Sequence, residues 1–216
     1  MVELNGKITG MDEHYIYIRA PITNVSELID KHMSGCGIIL NDGRTISREQ
    51  RKKAYALMND IALYTGYSQD EVKELTKYGF IASTGQKMFS LSDVDMTTAR
   101  LYIDWLIEFC LRFEIPCRDS LLNLCEDIKR YLYLCLIHKK CCICGKPTQL
   151  HHVTTVGMGY NRNEIVHVGM LAEPLCWRHH RECHDIGQKS FDERYHVFGT
   201  AIDEVTADKY KLRKKK

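Results

Sequence analysis

At 216 residues, with 44% hydrophobic side chains, the chain has enough apolar material for one large or two small folded domains. It contains no apolar run of about 18 residues, so no membrane span is expected, and its start, MVELNGKITG, lacks the basic-then-apolar leader of a signal peptide. The formal net charge is only +2, but residues 137–216 carry 14 Lys/Arg against 9 Asp/Glu, whereas residues 1–136 carry 16 against 19. The second part therefore suits a polyanion better than the first.

Taken in chain order, residues 3–9 (ELNGKIT) and 14–20 (HYIYIRA) read as β-rich runs joined by a turn, a hairpin. CGIIL is a short apolar run followed by the turn NDG. Ser47 and Gln50 form a capping box opening a helix that places Ala54, Met58, Ile61 and Ala62 on one face and ends near Gly66. Ser68 and Glu71 repeat the pattern for a second helix. A third begins near Asp95, runs through ARLYIDWLIEFCLRF and stops before Pro116. Its apolar Leu101, Trp105, Ile107 and Leu111 cover much of its circumference, so it is expected to be well buried. A fourth helix is expected over 119–138, leading into the cysteine cluster. Beyond it, QLHHVTT reads as a strand, VGMGYNRN as a loop, EIVHVGML as a second strand, and PLCWRHHRECHDIG as a helix closed by Gly187.

The ten cysteines, without a secretion signal, read as free thiols and metal ligands in a reducing cytoplasm. Cys36, Cys110, Cys117, Cys125 and Cys135 sit singly in apolar surroundings and read as core thiols. Cys141, Cys144, Cys176 and His179 have the paired spacing of a closed, tetrahedral structural zinc site. Cys142 and Cys183 fit that spacing less well. His180 and His184, four apart on a helix, share a face and can grip a second ion, while His179 points about 100° away from His180 and can serve the zinc. On a strand, His151 and His152 face opposite sides, so one can ligate while the other acts as a general base near neutral pH.

Residues 141–187 resemble the HNH (ββα-metal) endonuclease family, in the variant whose last motif reads LC-x-x-HH-x-x-x-H. The resemblance implies His152 as the base that activates water. It implies His151, His180 and His184 around one catalytic divalent metal, Mg²⁺ or another, acting on a DNA phosphodiester to leave 5′-phosphate and 3′-hydroxyl ends. One departure concerns the family's central asparagine. The best-placed residue here is His167, because Asn161 and Asn163 fall in the loop. Arg162, Arg178 and Arg181 are candidate phosphate contacts.

The N-terminal half, from about residue 35 to 117, resembles the phage Orf/NinB recombination mediators. The resemblance lies in QRKKAYALMNDIALYTGYSQDEVKELTKYGF followed by FSLSDVDMTTARLYIDWLIEFC. It implies a mostly helical homodimer that binds single-stranded DNA and engages the host single-strand-binding protein. Arg44, Arg48, Arg51, Lys52 and Lys53 could track phosphates there, while Trp105 and Phe109 read as core or dimer interface rather than base-stacking platforms.

The expected fold class is α+β. A mostly helical domain with a small β-hairpin region (1–118) is followed by a connecting helix (119–138) and a zinc-stapled ββα-metal domain with a basic tail (139–216). The expected function is metal-dependent cleavage of single-stranded or branched DNA in phage recombination or replication, in the host cytoplasm. The alternative is a non-catalytic DNA-binding mediator.

Overall fold

The computed structural model describes residues 6–20, 43–153 and 165–214. The hairpin expected at the start is present: β1 (Lys7–Met11) pairs antiparallel with β2 (Ile16–Arg19), with an irregular register between Ile8 and Gly10. The CGIIL run and Cys36 lie outside the described residues, as do Asn161, Arg162 and Asn163.

Local capping sets the helical part. Helix α1 (Arg48–Thr65) starts at Ser47, with both hydrogen bonds of the capping box in place, and ends at Gly66 in the left-handed conformation. Helix α2 (Gln69–Thr84) opens on the equivalent Ser68–Glu71 box. Helix α3 (Met96–Arg112) is capped by the Asp95 carboxylate, which accepts from the Thr98 N–H. It ends four residues short of Pro116, where the Ile115 N–H turns back to the Cys110 carbonyl. The three helices pack on one another around Leu57, Met58, Phe80, Tyr102, Ile103 and Leu106, all 0–1% exposed. Gly79 lets α2 approach α3 closely, since a Cβ there would lie 3.0 Å from the Trp105 ring. Trp105 stacks on Phe109 at 5.4 Å against this core.

The fourth expected helix is two helices, α4 (Leu121–Leu124) and α5 (Ile128–His138). Asp127 makes the break: in an extended conformation it caps α5 by accepting from the Arg130 N–H, an alternative that short acidic side chains offer the backbone. Cys110, Cys125 and Cys135 are buried and Cys117 is half-buried. The buried cluster continues from α1–α3 through α5 to Cys142, Leu175, Cys183, Phe191 and Val197 without interruption.

The last region is a three-stranded antiparallel sheet in the order β3 (Gln149–His152), β4 (Leu171–Leu175), β5 (Thr200–Ala201), with α6 (Trp177–Ile186), α7 (Gln188–Tyr195) and α8 (Glu204–Tyr210). The second strand thus runs over Leu171–Leu175 rather than 164–171, and residues 165–170 form a turn. Pro174 hides this strand in the sequence, because proline cannot donate to a ladder. Its carbonyl accepts from the Cys142 N–H, so its nitrogen faces the cysteine knuckle and no ladder bond with β3 is lost. Gly187, at φ 83°, lets α6 pass directly into α7. No helix among the described residues is long and apolar enough to cross a membrane.

Candidate metal centres

Two sequence-distant knuckles bring the first donor set together. In the loop 139–148, the Cys141 N–H donates to the Lys146 carbonyl and the Gly145 N–H to the Cys141 carbonyl, forming a tight turn that carries the buried Cys141 and the exposed Cys144. Cys176 is the N-cap of α6, and His179 stands in the helix's first turn. The Nδ1 of His179 lies 3.3 Å from the Sγ of both Cys141 and Cys176, and the sulfurs of Cys144 and Cys176 are 3.7 Å apart. Those separations are the edges of a tetrahedron with bonds of about 2.0 Å to nitrogen and about 2.3 Å to sulfur. The group could hold a metal ion. Cys142 is fully buried but turned into the core. Burial pushes the Cys141 thiol up to about 12. Burial also opposes ionisation of Cys176, but the His179 and Arg178 backbone N–H groups and the neighbouring thiols outweigh it, and its pKa falls below the usual thiol value. A divalent cation would ionise the rest of the set.

The second donor set depends on strand alternation. His151 pairs with Glu173 across β3 and β4, and His152 pairs with Ala172. One face of the sheet therefore carries Gln149, His151 and Glu173 toward α6, and the other carries Leu150 and His152. His151 meets His180 and His184 with ring centroids 4.7 and 5.2 Å away, and the Nε2 atoms of His180 and His184 are 3.2 Å apart. These three could also hold an ion. Burial lowers the pKa of His151 and of His180, which keeps their lone pairs available at neutral pH.

Two glutamines orient the rings, and neither was among the predicted site residues. Gln149 Oε1 lies 3.2 Å from His180 Nδ1, which leaves His180 Nε2 facing His184. Gln188 Nε2 donates to the carboxylates of Glu173 (3.1 Å) and Asp192 (2.7 Å), so its Oε1 must face His151 Nε2 at 2.8 Å. His151 then carries its proton on Nε2 and its lone pair on Nδ1. Cys183 places its sulfur 3.4 Å from the same oxygen, and burial pushes that thiol up to about 11. Glu173 is fully buried and one of its oxygens has no hydrogen-bond partner. Burial raises its pKa to about 7, although the bond from Gln188 opposes this. His151, Glu173 and Cys183 form a third group at ligand separation, which shares its histidine with the second. Gln149 was legible, two residues before His151 on the same strand face. Gln188 was not, because it opens a helix that the sequence did not announce.

On the other face, His152 Nε2 lies 2.9 Å from His167 Nδ1. His167 is buried, at 7% exposure, and its backbone N–H donates to the Arg213 carbonyl. The chain after α8 is thus tied to this corner, and Lys214 pairs with Asp208. Arg178 and Arg181 are exposed on α6; Arg181 lies 5.7 Å from the ring of Trp177, itself 64% exposed. The five cations at the start of α1 do not form one stripe. Arg44, Arg48 and Lys52 are exposed, Arg51 donates to the Ser92 carbonyl, and Lys53 pairs with Glu126 at 3.2 Å.

Among known families, the model described as "Putative HNHc nuclease" matches residues 23–215, a span that takes in both donor sets and the helices before them. Searches of curated proteins and of solved structures return no match.

Proposed function

The chain belongs to this HNHc nuclease family, and we propose that it is a metal-dependent endonuclease that cuts DNA with His152 as the general base. The observation that carries the reading is the His152–His167 pair. In the tautomer where His152 Nε2–H donates to His167 Nδ1, the basic nitrogen of His152 is Nδ1, and it takes the proton from water. The imidazolium that forms is stabilised by the same bond. His167 thereby does with an imidazole what the family's asparagine would do for the base, while its backbone N–H ties this stretch of chain to the Arg213 carbonyl.

His151, His180 and His184 are the proposed ligands of the catalytic metal, Mg²⁺ or another divalent ion. Cys141, Cys144, Cys176 and His179 are the proposed structural Zn²⁺ ligands, since three sulfurs and one imidazole suit that ion. The catalytic ion would neutralise charge on the scissile phosphate and on the leaving oxygen. Trp177, Arg178 and Arg181 lie on the solvent side of α6 and suit base stacking and phosphate contact.

The substrate we infer is single-stranded or branched DNA arising in phage recombination or replication, met in the host cytoplasm. The N-terminal resemblance to Orf/NinB mediators and the charge contrast between the two parts of the chain support this. On that reading 1–118 is the DNA-selecting domain, with Arg44, Arg48, Arg51, Lys52 and Lys53 as candidate contacts, 119–138 the connector and 139–216 the ββα-metal cutting domain. The homodimer and the contact with a host single-strand-binding protein belong to the same inference.

The test is nicking of supercoiled and branched DNA with Mg²⁺ or Mn²⁺. His152→Ala should slow cleavage about 10²- to 10⁴-fold while metal content stays constant. Cleavage by neither protein under any divalent ion, or equal cleavage by both, sinks the reading.

A further inference from the structure

Away from the donor sets, a surface depression of about 260 Å³ lies between α1, α2 and the turn before α3. Arg51 and Tyr55 line it from α1, Lys73 and Lys77 from α2, and Ser90 and Ser92 from the turn, and no acidic side chain lines it. Its cations are incompletely satisfied. Arg51 uses Nη2 on the Ser92 carbonyl at 2.8 Å, but its buried Nε has no partner. The Lys77 side chain is only 11% exposed, and its nearest carboxylate oxygen, on Glu74, is 3.8 Å away. That is beyond a direct hydrogen bond. Its ammonium also sits 5.6 Å from the Phe89 ring. Lys73 is bonded to Asp70 at 2.9 Å, but the Asp70 side chain is 91% exposed, so that pair can open into solvent with little loss. The Ser90 and Ser92 hydroxyls stand 2.9 Å apart at the rim, and the Ser92 hydroxyl donates to the neighbouring Asp93 carboxylate at 3.2 Å, a bond it would exchange for a phosphate oxygen.

Two of the three cations have carboxylates only on the outer side of α2, Asp70 and Glu74, and Arg51 has none among the described residues; such a group is stabilised further by an anion, and a guanidinium beside ammonium groups and hydroxyls fits phosphate oxygens. The Tyr55 ring, 37% exposed, offers a flat face beside it. We propose that this depression binds the phosphate of a nucleotide, with Arg51, Lys73 and Lys77 on the oxygens, Ser90 and Ser92 donating hydroxyls, and Tyr55 stacking on the base. The site stands on its own geometry; only the choice of a nucleotide rests on the nuclease reading above. It also gives the FSLS stretch a role, because Phe89 flanks Lys77 and both serines reach the rim.

The experiment reads binding rather than cleavage, so its outcome is independent of whether the chain cuts. A short fluorescent oligothymidylate and thymidine monophosphate are titrated against the full chain carrying His180→Ala and His184→Ala. Lys77→Met should weaken binding roughly tenfold, the value of one charged hydrogen bond, and Lys77→Arg should restore it. Lys73→Met, at a more exposed position, should act in the same direction and guards against misfolding at Lys77. For the oligonucleotide, the salt dependence should flatten by about 0.7 in log–log slope. Lys77-dependence with the oligonucleotide assigns the phosphate to a strand, and Lys77-dependence with the monophosphate alone assigns it to a free nucleotide. Binding of both probes unchanged in the Lys77→Met and Lys73→Met chains overturns the proposal.

Discussion

The α1–α3 region and the region after residue 139 are held by different means. In the first, large apolar side chains such as Phe80, Tyr102 and Leu106 are almost fully buried, and each helix is closed by its own cap. In the second, the sheet's outer face rests on a small cluster of Ala172, Ile202 and Ala207, and the inner elements meet through cysteine and histidine donors. A helix pack with this much buried surface folds on its side chains alone. A sheet whose longest strand has five residues buries less apolar surface of its own, and a bound metal would add to what that packing supplies.

Removing the Cys141–His179 set is the largest way to break that contrast. Cys141→Ser combined with Cys176→Ser should lose one metal ion per chain and unfold 139–214 as a unit. Structural zinc contributes on the order of 10 kcal/mol in small domains. Hydrogen exchange should show protection lost in β3, β4 and α6 but kept in α1–α3. Retained protection in β3 and β4 would mean that the continuous core through Leu175 and Phe191 carries that region, and the contrast would fail.

A smaller perturbation separates the two donor sets from each other. Gln188→Met keeps the volume of the side chain but removes the oxygen that receives the His151 Nε2–H. With its tautomer released, His151 should hold an ion at the His180–His184 site about 10- to 100-fold more weakly, while the cysteine set keeps its metal. A Co²⁺ titration, in which the two sites have different absorption, reads both at once. Equal affinity at the histidine site in both proteins would remove Gln188 from any orienting role.

The same difference between regions explains what the sequence disclosed. Caps act within four residues, so Ser47–Gln50, Ser68–Glu71 and Asp95 announced their helices. Donor spacing is also local, so Cys141–Cys144 and Cys176–His179 could be paired on paper, and strand alternation separated His151 from His152. Long-range contacts were not legible. Pro174 disguised β4, Asp127 divided a helix that its apolar pattern made look continuous, and α7 is so polar that Phe191 is its one buried residue. The Glu173–Gln188–His151 relay links residues 15 and 37 positions apart, and its members have no pattern in the sequence.

The finest distinction is electrostatic and lies wholly in the helical region. Asp104 on α3 is 5% exposed. Burial raises its pKa to about 6, with Arg130 pulling the other way. A carboxyl whose folded value lies above its unfolded one favours the folded state at low pH and loses that contribution as pH rises. The loss begins near the ordinary carboxylate value of about 4 and is complete once pH passes about 6. A shift of about two units corresponds to about 3 kcal/mol. Asp104→Asn cannot ionise, so its stability relative to the unmodified chain should climb from about pH 4 to just above about pH 6 and level off. Urea unfolding of the two proteins across that range measures it. The two donor sets share no residue with this site, so metal content should be identical in both proteins at every pH. A difference there would show that α3 and the metal-bearing sheet are energetically coupled through α5, and that the two regions are not stabilised independently.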